Sequence, residues 1–121
     1  YGEVLAQTQA GTRAPLLAAR ASDGLGDVAR AAGRWSDAES HYAQAAELWQ
    51  RLLGETQPRL AVTLHNLGAA RLALGRLDEA EAPLRRAVEI FTRALGPDAP
   101  DTTNARRSLE LWQQRRSLRA R

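Results

Sequence analysis

The sequence has no cysteine, no methionine and no lysine among its 121 residues. Without cysteine, disulfide bonds, thiolate nucleophiles and zinc–cysteine clusters are excluded. Without lysine, a phosphate-binding loop of the P-loop type is excluded as well, although a Gly24-Leu25-Gly26 run is present. These absences favour non-covalent binding over catalysis.

Long apolar runs are also missing. No uninterrupted hydrophobic run approaches the ~18 residues that a bilayer-spanning helix needs. Tyr1 does not open a signal peptide, which would begin with basic residues followed by an apolar run. The composition, 44% hydrophobic and 26% charged, is typical of one compact domain. We therefore expect a soluble, cytoplasmic protein.

The positive charge is concentrated at the C-terminus. All 17 basic residues are arginine, and with 14 acidic residues they give a net charge of +3. Residues 1–100 hold 11 arginines and 12 acids, whereas residues 101–121 hold 6 arginines and 2 acids. One hypothesis is that this arginine-rich end contacts nucleic acid phosphates. The alternative, which we favour, is a terminal helix whose arginines lie in solvent near the helix C-terminus.

The chain contains an internal repeat with a period of 42 residues. Residues 25–58 superpose on residues 67–100, and 13 of the 34 pairs are identical. An alanine-rich sequence would give roughly three or four identities by chance, so a repeat architecture is the first hypothesis. Within each unit, apolar residues recur every three or four positions, which predicts one buried stripe on a long helix. The two stripes are Ala38, Tyr42, Ala45, Trp49 and Leu52, and Ala80, Leu84, Ala87, Phe91 and Leu95.

Both ends of these long helices have sequence signals. Ser36 with Glu39, and Asp78 with Glu81, have capping-box spacing and predict the helix starts. Glycine can adopt the left-handed conformation that ends a helix, and proline shortly afterwards prevents its continuation. The predicted stops are Gly33, Gly54, Gly75 and Gly96, with Pro58 and Pro100 following the second and fourth. Each unit is therefore predicted to be a helical hairpin.

The placement of small residues resembles the tetratricopeptide repeat. Leu25-Gly26 is followed by Ala38, Tyr42 and Ala45, and Leu67-Gly68 is followed at the same spacing by Ala80, Leu84 and Ala87. The period and the Gly-x-x-x-Pro connections are similar to the kinesin-light-chain variety, which is common in bacterial proteins. The resemblance implies an all-α solenoid in which glycine and alanine let the two helices of a hairpin approach closely.

The repeat register divides the chain into five parts. We expect residues 1–10 to be the end of a preceding helix, 16–58 and 59–100 to be repeats, 101–117 to be a capping helix and 118–121 to be a basic tail. Glu110 replaces the glycine expected in a third repeat, and a carboxylate is costly in a close helix contact. Leu109 and Trp112 are predicted to cover the end of the core. A start inside a repeat, at Tyr1, indicates a fragment of a larger bacterial protein.

The resemblance also implies where a partner would bind. First helices of stacked hairpins line a concave groove, whose side chains contact a peptide or helix. Asn66 falls where the family often carries an asparagine that hydrogen-bonds a ligand backbone, and Arg107 suits a carboxylate. The candidate peptide-binding residues are Arg20, Asp23, Asp27, Arg30, His65, Asn66, Ala69, Asn104, Arg107 and Ser108, with Val62, Leu72 and Leu111 at further groove positions.

No residues group into a catalytic or metal site. His41 and His65 lie 24 positions apart on different predicted helices, so they form neither a metal pair nor an acid/base couple. We expect no enzyme activity, no metal and no cofactor. The favoured function is protein or peptide binding in the groove. The first alternative is a structural, sensor or self-association segment of a bacterial multidomain regulator, and the second is nucleic-acid contact through the C-terminus.

Overall fold

The computed structural model describes the backbone of residues 2–119 and the side chains of residues 13–119. Within these residues it has five helices and no strand: α1 Gly2–Ala31, α2 Trp35–Leu53, α3 Pro58–Ala73, α4 Leu77–Leu95 and α5 Pro100–Arg119. Each helix packs against the next one in the chain, and α3 also contacts α5. The predicted all-α array of helical hairpins is confirmed.

Two tight turns connect the helices within the hairpins. At the first turn, the N–H of Gly33 donates to the carbonyl of Arg30 (3.0 Å) and the N–H of Arg34 donates to that of Ala29 (2.8 Å). Gly33 has φ +75°, a left-handed value that costs other residues a steric clash. This is a Schellman motif, and the same bonds recur around Gly75. Gly33 and Gly75 therefore end their helices as the sequence predicts.

The capping boxes predicted at the helix starts are wrong. Helices α2 and α4 begin at Trp35 and Leu77, and neither has a side-chain hydrogen bond at its N-cap. The Schellman turn delivers the backbone directly into the next helix, so Ser36 already lies inside α2. Glu39 instead accepts hydrogen bonds from Arg71 (3.3 Å) and Arg76 (3.1 Å), which tie α2 to the second hairpin.

Glycine allows the close helix contacts predicted within each hairpin. A Cβ atom placed on Gly26 would lie 2.6 Å from Cε1 of Tyr42, and one on Gly68 would lie 2.6 Å from Cγ of Leu84. Both distances are far shorter than van der Waals contact, and Tyr42 and Leu84 are fully buried. The two hairpins therefore use the same device, a glycine on the first helix against a large side chain on the second.

Most residues of the predicted stripes on α2 and α4 lie in the core. Leu52 and Leu95 are the exceptions, because Leu52 is half-buried and Leu95 is exposed at the end of α4. The buried members are Ala38, Tyr42, Ala45 and Trp49 on α2, and Ala80, Leu84, Ala87 and Phe91 on α4. The helical period therefore identifies the side of each second helix that faces its neighbours.

The start of the chain differs from the expectation. The sequence predicts a separate helix end in residues 1–10, but α1 runs unbroken from Gly2 to Ala31 with Pro15 inside it. A proline inside a helix removes one backbone hydrogen bond, here to the carbonyl of Gly11, and can be accommodated when the rest of the helix continues. Gly11 and Pro15 therefore do not end a helix here. The division of the chain into repeats stays a prediction.

The last helix covers the end of the array. Trp112 is buried beside Leu72, Leu77 and Leu84, and half-buried Leu109 packs against the same cluster. The Trp112 indole donates a 2.7 Å hydrogen bond to the carbonyl of Leu77. Helix α5 continues to Arg119, so residues 118 and 119 belong to the helix and not to the expected tail. The expected remainder of that tail, 120–121, lies outside the described residues.

Candidate functional site

The candidate groove is the surface that α1, α3 and α5 present on one side of the array. Side chains link these three helices directly: Asp23 of α1 contacts Thr63 of α3, and His65 of α3 contacts Ser108 of α5. Helices α2 and α4 lie behind them and supply the buried stripes. The groove is therefore built from the first helix of each hairpin together with the terminal helix.

The predicted groove residues differ in how accessible they are. Most of those on α1 and α5 are exposed, and those on the central helix α3 are half-buried. Arg20, Asp27, Arg30, Asn104 and Arg107 are exposed, and His65, Asn66, Ala69 and Ser108 are half-buried. Of the further positions, Val62 is half-buried, Leu111 is 41% exposed and Leu72 is buried at 3%. The placement of Leu72 in the groove is therefore wrong, because it packs under Trp112.

Asp23 does not belong to the free surface either. Its side chain is 7% exposed and accepts hydrogen bonds from the Trp49 indole (2.7 Å), an Arg59 guanidinium nitrogen (2.7 Å) and the Thr63 hydroxyl (2.9 Å). Arg59 also lies 5.0 Å from the centre of the Trp49 ring, in cation–π contact. Asp23 therefore joins α1, α2 and α3, and its carboxylate is occupied by intramolecular donors.

Asp27 and Arg30 form a half-exposed pair at the same end of the groove. Arg30 lies 3.4 Å from Oδ1 of Asp27, and the Tyr42 hydroxyl donates a 2.5 Å hydrogen bond to the same oxygen. Burial, helped by this hydrogen bond to a carboxylate, raises the pKa of the Tyr42 phenol. Tyr42 therefore stays neutral and acts as a fixed donor that orients Asp27.

His65 and Ser108 lie together where α3 contacts α5. Nε2 of His65 is 2.7 Å from the Ser108 hydroxyl, across the α3–α5 contact. Burial lowers the pKa of His65, opposed by the negative charge of Asp101 and assisted by the positive charge of Arg30. The imidazole is therefore held neutral, as one partner of a hydrogen bond between two helices.

Asn66 is a polar groove residue that can make new contacts. It is half-buried beside His65 on α3, and its amide has no hydrogen-bond partner within residues 13–119. A side-chain amide carries both donors and an acceptor, which matches the two groups of an extended peptide backbone. Ala69 lies about one helical turn further along α3 and is also half-buried.

Several C-terminal arginines are used by the protein itself. Arg85 and Arg116 lie 5.5 and 5.3 Å from the centre of the Trp112 ring. Arg115 donates to the carbonyl of Leu72 (3.0 Å), and Arg106 donates to that of Pro97 (2.8 Å). These contacts fasten α5 to the array. The basic end therefore has a structural role that does not involve nucleic acid.

Sequence reasoning missed the partners of Asp23. Arg59 and Thr63 lie in the next hairpin, 36 and 40 positions away. The signal was weak but present, because a buried tryptophan such as Trp49 needs an acceptor for its indole N–H and Asp23 is a carboxylate on the facing helix. The 42-residue period gave no indication of these contacts, because the residue equivalent to Asp23 in the second repeat is His65.

Neither a metal centre nor a membrane helix emerges from the geometry. Among the described residues, no three His, Cys, Asp or Glu side chains gather where they would hold a metal ion. None of the helices in this part of the chain has the combined length and hydropathy that crossing a bilayer demands.

The chain matches a known protein family. Residues 17–93, more than half of the chain, match the family model of the tetratricopeptide repeat. The matched range extends from the middle of α1 almost to the end of α4. No curated protein matches the sequence.

Proposed function

The chain belongs to the tetratricopeptide repeat family, and on that premise we propose that it is a non-catalytic module that binds a segment of a partner protein in the candidate groove. The family suggests a protein interaction module. The groove, its residues and the mode of binding are our proposal. The binding mode is recognition of an extended or helical segment by a surface already formed before the partner arrives.

The observation that carries this proposal is the state of Asn66. Its amide lies half-buried on the central helix of the groove and has no partner within residues 13–119. A polar group that is partly shielded from water gains more from a ligand hydrogen bond than a fully solvated one does. Asn66 is therefore suited to bind the backbone of a segment lying across α3.

The helices around Asn66 are fixed in advance. Asp23 links α1 to α2 and α3, and the contact between His65 and Ser108 links α3 to α5. Association costs free energy when side chains or backbone must become ordered, and a rigid surface reduces that cost. The groove residues that support this rigidity are distinct from the exposed ones that would contact a partner.

Charge at the two ends of the groove indicates the partner's chemistry. Arg20 on α1 and Arg107 on α5 are exposed, and a guanidinium binds a carboxylate with two parallel hydrogen bonds. Asp27 is already paired with Arg30. We therefore propose a segment with acidic side chains near its ends and accessible backbone groups in its middle.

Finer features of the family assignment belong to the same proposal. The 42-residue period supports the kinesin-light-chain-like variety, as do the two 19-residue second helices. In this view the chain comes from a larger bacterial protein of the cytoplasm, with repeats at residues 16–58 and 59–100 and a capping helix from residue 101.

The test begins with peptides selected from a displayed random library on the 121-residue chain. Their affinity is then measured for the double variant Asn66→Ala/Arg107→Ala. We expect affinity to fall by tenfold or more, the equivalent of about 1.4 kcal/mol. The matched control is Gln44→Ala/Arg93→Ala, which removes an exposed amide and an exposed guanidinium from α2 and α4. Equal binding by both double variants would show that the groove is not the binding surface.

A further inference from the structure

One side of α1 is apolar and uncovered along four turns. Its larger members are Leu17, Leu25 and Val28, which are 57%, 52% and 68% exposed. They alternate with small residues at helical spacing, and every member of this face is exposed. The α1 face consists of Ala14, Leu17, Ala18, Ala21, Gly24, Leu25 and Val28. Exposed apolar surface arranged contiguously, rather than singly, marks an interaction site.

The internal repeat shows what normally covers this face. By the 42-residue period, Leu25 and Val28 correspond to Leu67 and Ala70 of α3. Those two residues are 5% and 0% exposed, because they lie in one cluster with residues of the preceding helix, α2. The α1 face therefore has the apolar character of the α3 surface that packs against α2. No helix among the described residues covers it.

The other end of the array differs at the positions that would receive a further helix. Where α3 presents Leu64 and Gly68 to α4, the equivalent positions of α5 are Arg106 and Glu110. Both are exposed and charged. The uncovered apolar surface is thus a property of α1 and not a general feature of the ends of the array.

We propose that the α1 face pairs with the α1 face of a second copy of this chain, with the two helices antiparallel. In that arrangement a two-fold axis passes close to Gly24, so Leu25 of one copy meets small residues of the other and Leu17 lies beside Val28 in an apolar contact. Leu25 lies against Ala21 of the second copy, and Val28 lies against Ala18. The face is complementary to itself, as a two-fold interface requires.

Charges beside the face select the antiparallel direction. Arg20 and Asp27 lie on the same flank of the face, which borders the groove, and both are exposed. Antiparallel pairing brings the same flank of each copy together, which places Arg20 opposite Asp27 of the second copy. The known contacts of Asp27 both use Oδ1, which leaves Oδ2 to accept from Arg20. Parallel pairing would instead set this flank against the uncharged Ser22 and Ala29 of the second copy.

The first experiment measures the mass of the 121-residue chain by light scattering over a dilution series. For the wild type we expect twice the 13.2 kDa chain mass. Val28→Glu should give the mass of one chain, because pairing would bury the glutamate charge. The matched control is Leu118→Glu, since Leu118 is 66% exposed on α5; it should remain a dimer. A monomeric wild type, or equal masses for the two variants, overturns the proposal.

The second experiment uses the absence of cysteine, which makes any introduced thiol unique. Gly24→Cys fits without a clash, because nothing lies within 4 Å of a Cβ at that position. Two such thiols meet near the two-fold axis and form a disulfide. Those of the matched variant Ala14→Cys lie about 28 Å apart at 1.5 Å per residue and do not. Cross-linking of both variants, or of neither, overturns the antiparallel pairing.

These experiments do not depend on the groove. A chain that binds no selected peptide would still dimerise through α1, and a monomeric chain would still present Asn66. Failure of one proposal is therefore distinguishable from failure of the other.

Discussion

The imidazole of His65 lies 2.7 Å from the hydroxyl of Ser108 and joins the central helix of the groove to the terminal one. Asp23 makes the corresponding connection one hairpin earlier, to Thr63. Successive first helices are thus held by polar side-chain contacts, in addition to the apolar packing behind them. The shape of the groove depends on both contacts, and the first of them titrates.

Stability should therefore fall in mild acid. Burial lowers the pKa of His65 below its ordinary value of 6.5, so the unfolded chain binds a proton more readily than the folded chain. The free energy of unfolding then decreases as the pH falls below about 6.5 toward the lower pKa of the folded state. Urea titrations at about pH 7.5 and about pH 5.5 measure this difference.

Two variants test whether His65 is the source. His65→Gln keeps a hydrogen-bonding group for Ser108 and has no titrating ring, so it should lose much of the pH dependence. His41→Gln changes the histidine on α2 and should keep it. A His65→Gln chain with the wild-type pH dependence would refute the assignment.

Gly68→Ala should destabilise the protein by about 1–3 kcal/mol, because the added methyl group overpacks a filled core. The added Cβ would lie 2.6 Å from two carbon atoms of Leu84. The Leu84 side chain is fully buried and has no free space in which to move away. Gly24→Ala is the matched control, since its Cβ meets nothing within 4 Å in the single chain; both variants are measured in the Val28→Glu background, where α1 pairing does not contribute. That change should stabilise the helix by up to about 1 kcal/mol. Thermal unfolding that ranks the two variants the other way would contradict the close-packing account.

Asp23→Ala should cost about 1–3 kcal/mol, because it leaves the buried indole N–H of Trp49 without an acceptor. Tryptophan fluorescence during chemical unfolding measures both the loss and the changed surroundings of the ring. Asp98→Ala removes an exposed carboxylate from the turn before α5 and should have little effect. If the two substitutions cost the same, the buried network contributes nothing particular to stability.

Trp112→Ala should cost about 3–5 kcal/mol and loosen the terminal helix. The ring fills the end of the core, and its N–H bonds the carbonyl of Leu77. Amide hydrogen exchange should rise throughout α5 and much less in α2. Trp112→Phe, which keeps an aromatic ring and loses the N–H, should show a smaller increase. Unchanged protection of α5 in the alanine variant would mean that the arginine contacts alone hold the helix.

The architecture could be predicted from the sequence because the same residue pattern occurs in both repeats. Gly68 and Leu84 recur at the positions of Gly26 and Tyr42, so the pairing of a small residue with a large one could be inferred without coordinates. The helix starts could not be inferred in the same way. Ser36 has the residue type and spacing of a cap, but the Schellman turn at Gly33 brings the chain into the helix before Ser36 is reached.

Site residues were harder to predict than the fold. Asp23 and His65 occupy equivalent positions, yet Asp23 is saturated by Trp49 and Thr63 whereas His65 bonds a single serine. Which groove side chain is covered depends on the residues of the next hairpin, and these differ between repeats. The repeat register predicts which way a side chain points. The residues packed against that side chain determine whether it remains free to bind a partner.

The charged outer side of α5 has a consequence for how copies of the chain assemble. A helix seated there would have to strip water from Arg106 and Glu110, so a further copy cannot add at that end as cheaply as at α1. Head-to-tail growth needs two complementary ends and produces open filaments. Because the described array offers such a face at α1 and not at α5, the pairing proposed through α1 stops at two copies.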